Sequence, residues 1–494
     1  MYSHLMYLRP DSSLASCALG LMVAFALTAC HSRIFPVPLP TDPTASARDL
    51  AQRFQQVYPP VLAAPRTGVL APRFGLPSFA STAATFDIEL LSREPQPALR
   101  AALVLPCVDE KTAQECLGSA VSPRCVPLLL GPVTPQPIEG SGFVQLVAQA
   151  SAAAVPVGGW DLIVQAGAEP PERLHRSVWI EDRDPTAAAL LRVVHLSDIH
   201  LGKHPTRTDG LVKALQTTIE RVNTANPDLV VLTGDVVEDG QKDGWMERAH
   251  AQLLGIAAPL VVIPGNHDYS HFPKVLSPET PPDGWWNFAR EFHSRRRVAF
   301  TFHGWDFLGF DSGPSVFSVR VLTRGVNEQT LEWLDTRVAE AAKQGRKGVV
   351  LFSHAPTRSA PVGAPDSEEK GMCGQMVSGG SAIERIIAAG VEKKLNMVHL
   401  SGHTHWLELH ELRPRTDPDA DHFRKWPDGQ VCGTAESGAL LVNIPAATRV
   451  TFSTIARGLR SGFGVLTLDG EKPVIETWLY DKTGKGGACQ GPGK

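Results

Sequence analysis

The stretch that decides the fold runs from residue 191 to residue 200 and reads LRVVHLSDIH. Its first six residues are mostly apolar and branched, which is typical of a strand that is buried on both faces. The apolar run ends at Leu196, and a carboxylate and an imidazole follow at Asp198 and His200. The sequence therefore predicts a buried strand with two potential metal ligands at its carboxyl end.

Four later segments repeat this arrangement of an apolar run followed by polar, ligand-type residues. They end in Gly234-Asp235, Gly265-Asn266-His267-Asp268, His354 and Gly402-His403-Thr404-His405. From about residue 190, apolar runs alternate with helical patterns, so we predict an α/β fold. In open α/β sheets the carboxyl ends of the strands converge on a ligand, and we expect the five segments to meet there.

Two of these segments place ligand-type residues two positions apart. Asp198 and His200 form one pair, and His403 and His405 form the other. An extended backbone would point both members of such a pair to the same side. Carboxylate and amide oxygens beside imidazole nitrogens suit divalent ions such as Mn, Fe and Zn. The set is large enough for two such ions.

In this order the five segments resemble the motif set of the calcineurin-like metallophosphoesterase superfamily. The resemblance covers roughly residues 190–480 and implies a four-layer α/β/β/α sandwich. It also implies two divalent metal ions, with Asp235 bridging both. The residues that resemble the family's metal ligands are Asp198, His200, Asp235, Asn266, His354, His403 and His405.

The resemblance also implies a reaction, the hydrolysis of phosphate monoesters or diesters by a hydroxide that bridges the two ions. His267 resembles the residue that contacts the phosphate and protonates the leaving group, and Asp268 would orient its imidazole. The motif forms are similar to those of class III cyclic-nucleotide phosphodiesterases. Glu238 stands where purple acid phosphatases carry an iron-binding Tyr, so an iron–tyrosinate centre is not predicted.

The N-terminal segment predicts export. Residues 14–27 form an apolar run that is too short to span a bilayer as a mature helix. The following Leu27-Thr28-Ala29-Cys30 resembles the bacterial lipobox, which implies lipidation of Cys30. We predict a signal peptide at residues 1–29 and a lipoprotein, at the outer rather than the inner membrane, that faces the periplasm or the surface. An ordinary secretory signal and an N-terminal anchor helix are the alternatives.

Composition divides the remaining chain into three parts. Residues 30–75 are rich in Pro and Ala and predict a tether. Residues 76–185 contain short alternating runs, which predict a small all-β domain of the immunoglobulin or fibronectin kind. Residues 190–485 are predicted to form the metallophosphoesterase domain. We interpret the β domain as a structural or substrate-orienting module.

The cysteine count and spacing indicate disulfide bonds. Eight are present, and Cys17 and Cys30 belong to the export segment. An even number of remaining cysteines in an exported chain favours disulfides. The spacing of Cys107, Cys116 and Cys125 predicts a short-loop bridge among them, and the third member would then need a distant partner. A zinc knuckle is the alternative.

Several polar residues outside the five segments are assigned to other environments. His195 and His399 lie inside predicted strands, so we expect both in the core. Asp311 ends another apolar run and is a lesser candidate for a place beside the metal ligands. Glu238 is expected beside the ligands or at the surface, and the cluster at residues 295–297 (RRR) on a solvated surface.

The charge balance excludes one class of partner. The net charge is −4, and a clustered basic face typical of nucleic-acid-binding proteins is missing from the sequence, so no nucleic-acid partner is predicted. The substrate is expected to be a phosphoester, with nucleotides and phospholipid-derived compounds both open. The alternative hypotheses are a surface-tethered binding lipoprotein with a vestigial metal domain and a hydrolase of non-phosphorus esters. No oligomeric state is predicted.

Overall fold

The computed structural model describes most of the chain from Gly68 onward. The described residues are 68–82, 84–92, 98–118, 122–138, 143–153, 155–182, 184–202, 208–269, 283–313, 325–359, 375–376, 378–412, 423–427, 432–448, 461–480 and 486–488. The predicted signal peptide, the lipidation site Cys30 and most of the predicted tether lie outside them.

Residues 68–181 form two small sheets that share one hydrophobic core. One sheet has the strand order β1-β3-β7-β6 and the other the order β2-β9-β8-β4-β5. Both contribute to the core, with Ile88 and Leu146 from the first sheet and Leu103 and Trp160 from the second. An N-terminal β region is therefore present. Its strands are β1 (Gly68–Ala71), β2 (Ser78–Ser81), β3 (Thr85–Ser92), β4 (Leu99–Val104), β5 (Cys125–Pro127), β6 (Leu130–Ile138), β7 (Phe143–Ser151), β8 (Gly158–Ala166) and β9 (Glu172–Glu181).

Two features of this region differ from the sequence-based expectation. Strand β1 lies within residues 30–75, which we predicted as a tether, because Val69 buries its side chain in the β core. A short helix, α1 (Glu110–Glu115), also interrupts the β pattern. Asp109 caps that helix by accepting a hydrogen bond from the Thr112 N–H at 3.0 Å.

The predicted short-loop disulfide is present and joins Cys116 to Cys125. A disulfide leaves neither thiol available for zinc, so these two residues do not form a zinc knuckle. Cys432 is also disulfide-bonded. Cys107 is exposed and unpaired, so the expectation of a distant partner for the third cysteine is wrong.

The second part of the chain contains two seven-stranded sheets. The first has the order β12-β11-β10-β21-β22-β19, with β23 paired to β22, and the second has the order β13-β14-β15-β16-β20-β17-β18. The strands are β10 (Leu191–Leu196), β11 (Leu229–Leu232), β12 (Leu260–Val262), β13 (Arg297–Phe302), β14 (Trp305–Phe310), β15 (Gly348–Phe352), β16 (Asn396–Ser401), β17 (Glu408–Leu412), β18 (Phe423–Lys425), β19 (Cys432–Thr434), β20 (Ala439–Asn443), β21 (Ser461–Leu468), β22 (Val474–Tyr480) and β23 (Gly486–Ala488). The helices are α2 (Thr208–Thr224), α3 (Trp245–Leu253), α4 (Asp283–Glu291), α5 (Glu328–Lys343) and α6 (Gly380–Glu392).

Three hydrophobic cores pack the two sheets against each other and against the helices. The core shared by the two sheets includes Val231 from the first and Phe352 from the second. Another joins the first sheet to helices α2–α4, with Phe288 among its members. The third joins the second sheet to α5 and α6 and contains Leu334 and Ile387. The predicted α/β class is confirmed, and among the described helices none is long and apolar enough to span a membrane.

Parallel pairing aligns the strands that carry the predicted ligands. Strands β10, β11 and β12 are parallel neighbours in the first sheet, as are β14, β15, β16 and β20 in the second. In β10, Val193 faces the core between the sheets while Val194 faces the helices. Both faces are apolar because both are covered, which explains the continuous apolar run that opens the sequence pattern.

The β region covers an edge of each large sheet. Strands β12 and β13 are the edge strands on one side. Gly75 accepts a hydrogen bond from the Val262 N–H of β12 at 2.9 Å, and the Phe79 ring lies 4.5 Å from the Phe302 ring of β13. Covering these edges protects unpaired strand groups from other chains.

A second set of contacts fastens the same segment to α4. The Arg73 guanidinium donates to the backbone carbonyls of Arg290 at 2.6 Å and Phe292 at 2.8 Å. The neighbouring Phe74 is buried and stacks on the His250 ring at 4.5 Å. The β region is thus packed into the α/β part by hydrogen bonds and by apolar contacts.

We expect Phe74→Ala to destabilise the α/β part, because the ring fills a buried position against His250 and Phe292. Truncating a buried Phe typically costs about 3–5 kcal/mol of unfolding free energy. Denaturant unfolding followed by circular dichroism measures it. Leu129→Ala is the control, because Leu129 is 80% exposed and should change stability by less than about 0.5 kcal/mol. An unchanged unfolding midpoint for Phe74→Ala would contradict a stabilising role for this ring in the core of the α/β part.

Candidate metal centre

The segments predicted to carry metal ligands meet where the carboxyl ends of strands from both sheets face each other. Asp198 and His200 follow β10, Asp235 follows β11, Asn266 follows β12, His354 follows β15, and His403 and His405 follow β16. Polar atoms of all seven side chains lie within contact distance of at least one other member of the set. The structure therefore brings together residues that are up to about two hundred positions apart in the chain.

One cluster consists of Asp198, His200 and His405. The Nε2 atoms of the two histidines are 3.0 Å apart, and Asp198 Oδ1 lies 3.1 Å from that of His405 and 3.6 Å from that of His200. Ligand atoms about 2.0–2.2 Å from one ion lie about 2.8–3.6 Å from each other at ordinary bond angles. The three atoms therefore fit one cation.

A second cluster surrounds His354 Nε2. This atom lies 2.9 Å from Asn266 Oδ1, 3.2 Å from His403 Nδ1 and 3.3 Å from Asp235 Oδ2. The same spacing rule applies, so oxygen and nitrogen donors again converge on a volume that one cation would fill.

Asp235 lies between the two clusters. Its Oδ2 atom is 3.5 Å from His200 Nε2 and 3.3 Å from His354 Nε2. Its Oδ1 atom accepts a hydrogen bond from the His267 N–H at 2.8 Å. One carboxylate oxygen thus adjoins both clusters, as a bridging ligand must.

The backbone of the ligands is strained. Five of the seven residues have a left-handed φ, namely Asp198 (56°), His200 (50°), Asp235 (51°), His403 (71°) and His405 (59°). This conformation costs a non-glycine residue about 1–2 kcal/mol, and it concentrates at functional sites.

The left-handed turns overturn the expectation that an extended backbone aligns Asp198 with His200 and His403 with His405. Strand β10 ends at Leu196, and its continuation is held by hydrogen bonds from the Asp198 N–H to Gly234 O at 3.0 Å and from the His200 N–H to Asp235 O at 2.9 Å. The ligands share a site because of these turns and not because of strand alternation.

Two glycines permit the close approach of the ligand loops. A Cβ atom on Gly265 would lie 2.3 Å from Asp235 Oδ1, and one on Gly402 would lie 2.3 Å from Asp198 Oδ2. Any larger residue at either position would displace a ligand carboxylate. Both glycines were part of the predicted motifs, and their requirement is steric.

Electrostatics also favour cations here. Burial alone would lower the pKa of His200, but hydrogen bonds to Asp198 and Glu238 and the charge of Asp235 raise it to about 10. Burial likewise opposes a rise in the pKa of His354, yet Asp235 and Asp198 bring it to about 9. The buried carboxylates thus create a field that holds positive charge. Divalent cations would meet the same field, so the donors and the charge both fit such ions.

The mouth of the centre is formed by the less buried members. Asp198, His200, Asp235 and His354 are buried, whereas Asn266, His267, His403 and His405 are partly exposed. The partly exposed group includes the predicted acid, His267. A ligand from solvent would therefore meet His267 and three of the predicted metal ligands first.

Glu238 orients two imidazoles, a role that the sequence had left open. Its buried Oε2 atom lies 3.2 Å from His200 Nδ1, so the other nitrogen of His200 faces the cluster. Its backbone carbonyl accepts from His267 Nδ1 at 2.8 Å. Carboxylates on the outer nitrogen of metal-binding histidines fix the tautomer and the ring orientation. The position three residues after Asp235 was the signal for this role.

The predicted role of Asp268 is wrong. Its carboxylate accepts hydrogen bonds from the Val237 N–H at 3.1 Å and the Gly265 N–H at 2.8 Å, so it ties two loops together. Burial and the charge of Asp235 raise its pKa to about 7. The imidazole of His267 is oriented instead by the Glu238 carbonyl, and burial lowers the pKa of His267 to about 4.

The two histidines that we expected in the core are there. His195 Nε2 lies 3.0 Å from Thr233 Oγ1, and His399 Nε2 lies 2.8 Å from Ser353 Oγ. Burial lowers the pKa of both to about 3. Each is neutral at neutral pH.

We expect Glu238→Ala to weaken Mn²⁺ binding about 10–100-fold, as is typical when the partner of a metal-binding histidine is removed. Calorimetric titration of the metal-free protein measures the affinity. Glu247→Ala is the matched control, because Glu247 is an exposed glutamate in the nearby helix α3. Equal affinities for Glu238→Ala and the control would rule out an orienting role for the Glu238 carboxylate.

Comparisons with known proteins agree with this geometry. The family model described as calcineurin-like phosphoesterase matches residues 191–407, which include all seven predicted ligands. A probable cyclic nucleotide phosphodiesterase of Moraxella catarrhalis is 29% identical over 34% of this chain and 57% of its own length. The glycerophosphodiester phosphodiesterase GpdQ of Enterobacter lignolyticus is 28% identical over 33% of this chain and 56% of its own length.

The chain thus spans just over half the length of these curated relatives. Among solved structures, a purple acid phosphatase, PPD1 from yellow lupin, is similar with a TM-score of 0.45 and 12% identity, covering 82% of this chain and 72% of that one. The family match coincides with the strands and loops that form the two clusters. Residues 191–407 therefore belong to the calcineurin-like phosphoesterase family.

Proposed function

We propose that this protein is a two-metal hydrolase of phosphate monoesters or diesters. The observation that carries the proposal is the position of Asp235 Oδ2, within 3.5 Å of ligand nitrogens in both clusters. Asp198, His200 and His405 would hold one divalent ion, with Mn, Fe and Zn all suited to such donors. Asn266, His354 and His403 would hold the other. The names of the relatives favour diesters.

The two ions, when bound, would supply an activated water and neutralise charge on the phosphate. The residues of the chain supply the rest. Glu238 and the Thr233 carbonyl fix His200 and His354 through their Nδ1 atoms, at 3.2 and 2.7 Å. Their Nε2 atoms are thereby directed to the ligand clusters. Because the imidazoles are already held in place, they need not reorient during the reaction, whereas solvent dipoles would have to.

His267 is the proposed proton donor to the leaving alkoxide. Its ring packs edge-on against the His200 ring with centroids 4.7 Å apart, at the mouth of the centre. The Glu238 carbonyl engages Nδ1, so Nε2 is the proposed donor atom. Since burial holds the pKa of His267 to about 4, the second proton must be stabilised by the negative charge of a bound phosphoester.

We further infer a four-layer α/β/β/α sandwich, which the three cores around the two large sheets support. For residues 68–181 we infer an immunoglobulin- or fibronectin-like relationship, supported by two sheets around one core. The contacts of Arg73 and Phe74 favour a structural role for this region.

Replacing His267 with Gln should slow the release of poor leaving groups selectively. We expect turnover of a methyl phosphodiester to fall about 10²–10⁴-fold, the usual contribution of a general acid. Bis(p-nitrophenyl) phosphate should lose much less, because nitrophenolate leaves without a proton. Metal content, measured by elemental analysis, should be unchanged. His175→Gln, in strand β9, is the control. Equal losses on both substrates would contradict the acid role.

We also propose that the protein is exported and anchored by a lipid on Cys30, at the outer membrane and facing the periplasm or the surface. The lipobox-like residues 27–30 support this, and so does the Cys116–Cys125 disulfide, because disulfides persist in oxidising compartments. That location favours extracytoplasmic nucleotides or phospholipid-derived esters as substrates.

In a bacterial host that processes lipoproteins, Cys30→Ser should abolish labelling with radioactive palmitate and move the protein from the membrane to the soluble fraction. Cys107→Ser is the matched control, since Cys107 is an exposed, unpaired cysteine of the β region. Labelling of the Cys30→Ser protein at the wild-type level would contradict anchoring at this residue.

A further inference from the structure

Tyr269 links the loop of Asn266 and His267 to the second sheet. It follows Asp268 directly, and its side chain is buried. The hydroxyl donates a hydrogen bond to Asp311 Oδ2. Asp311 follows strand β14, which lies beside β15 in the second sheet and carries no predicted metal ligand. The contact therefore crosses from one sheet to the other.

Asp311 is held firmly in place. Its Oδ1 atom accepts from the Gly313 N–H at 2.7 Å, and its own N–H donates to the Arg296 carbonyl at 2.8 Å. The Arg296 guanidinium lies 3.6 Å from Asp311 Oδ2 and 4.9 Å from the centre of the Trp285 ring. The expectation that Arg296 is on the surface is therefore wrong, because it is a buried counter-charge to Asp311.

Trp285 connects Arg296 back to Tyr269 through aromatic contacts. The Trp285 ring stacks on the Tyr269 ring with centroids 5.5 Å apart and an interplanar angle of 14°. Tyr269 is thus held both by its hydroxyl and by its ring. Because packed interiors resist small displacements, a change at this buried contact would shift the adjoining loop of Asn266 and His267.

Ser312 makes the matching contact on the other side. Its hydroxyl accepts a hydrogen bond from the Ala355 N–H at 3.1 Å. Ala355 directly follows His354, a predicted ligand of the second cluster. Two consecutive side chains, Asp311 and Ser312, therefore hold the loop of Asn266 and the loop of His354.

These two loops supply ligands to the same cluster. Asn266 Oδ1 and His354 Nε2 are 2.9 Å apart, although one belongs to a loop of the first sheet and the other to a loop of the second. Metal affinity requires ligand positions accurate to about 0.5 Å. Asp198 of the first cluster is connected to the second sheet differently, because its Oδ2 atom accepts a hydrogen bond from the His403 N–H at 3.0 Å.

We propose that Tyr269 and Asp311 form a positioning strut that sets the distance between Asn266 and His354, and so controls the affinity of the second cluster for its cation. The inference rests on the proposed two-metal function. Both are positioning residues, because each would act through the ligand loops and neither is one of the seven predicted ligands. The strut acts on the cluster of Asn266 and leaves the cluster of Asp198 unchanged.

The test is calorimetric titration of the metal-free mature chain with Mn²⁺. The wild type should show two binding steps, and Asn266→Ala identifies the step that belongs to the second cluster. Tyr269→Phe removes only the hydroxyl and should weaken that same step about 10–100-fold, the range found for supports of metal ligands. The other step should stay within about twofold of the wild type.

Tyr480→Phe is the matched control. Tyr480 is also a tyrosine with a buried hydroxyl in this part of the chain, but it bonds to Thr218 and the Ala447 carbonyl, away from the strut. It should leave the Asn266 step unchanged. Asp311→Asn, which retains an acceptor for the Tyr269 hydroxyl, should lose less affinity than Asp311→Ala.

The outcomes separate the strut from the proposed function. If the wild type binds two ions and Tyr269→Phe binds both as tightly, the strut is overturned and the proposed function stands. Equal weakening of both steps by Tyr269→Phe would also overturn the strut, because it would show that the substitution disturbs the whole centre and not the second cluster alone. Fewer than two ions bound to the wild type would overturn the proposed function and, with it, the strut.

Discussion

The hydrogen bond between His354 Nδ1 and the Thr233 carbonyl, at 2.7 Å, joins the two sheets at the centre. It fixes the His354 ring so that Nε2 faces Asp235 and Asn266. Thr233 lies between strand β11 and Asp235, so one bond also sets the second sheet against the loop that carries the shared carboxylate. Neither sheet alone contains a complete cluster, and the chemistry therefore depends on how the sheets are docked.

The rest of the structure supports that docking. The shared core places parallel strands of both sheets with their carboxyl ends at one edge. The free energy gained by this core also offsets two costs of the site. One is the burial of charge on Asp198 and Asp235, and the other is the left-handed backbone of five ligand residues. Cations that bind the folded state would add stability by mass action, so metal occupancy and folding are coupled in this arrangement.

The sequence predicted most of the site because strand ends leave a strong local pattern. An apolar run followed by Gly-Asp or Gly-Asn-His can be recognised from contiguous residues, without knowing which segments contact each other in the fold. One failure is local, because left-handed turns replace the extended backbone expected at Asp198 and His403. The others concern contacts that the sequence pattern does not contain. The Asp268 carboxylate accepts hydrogen bonds from the Val237 and Gly265 amides, and Arg296 is buried beside Asp311. The composition near position 69 predicts a tether, because the strand that pairs with these residues lies elsewhere in the chain.

The central claim is that one centre, shared by both sheets, holds two cations bridged by Asp235. Anomalous diffraction at the Mn absorption edge from crystals grown with Mn²⁺ tests it directly. We predict two peaks on either side of the Asp235 carboxylate, one beside Asp198, His200 and His405 and the other beside Asn266, His354 and His403. A single peak, or peaks away from Asp235, would contradict it.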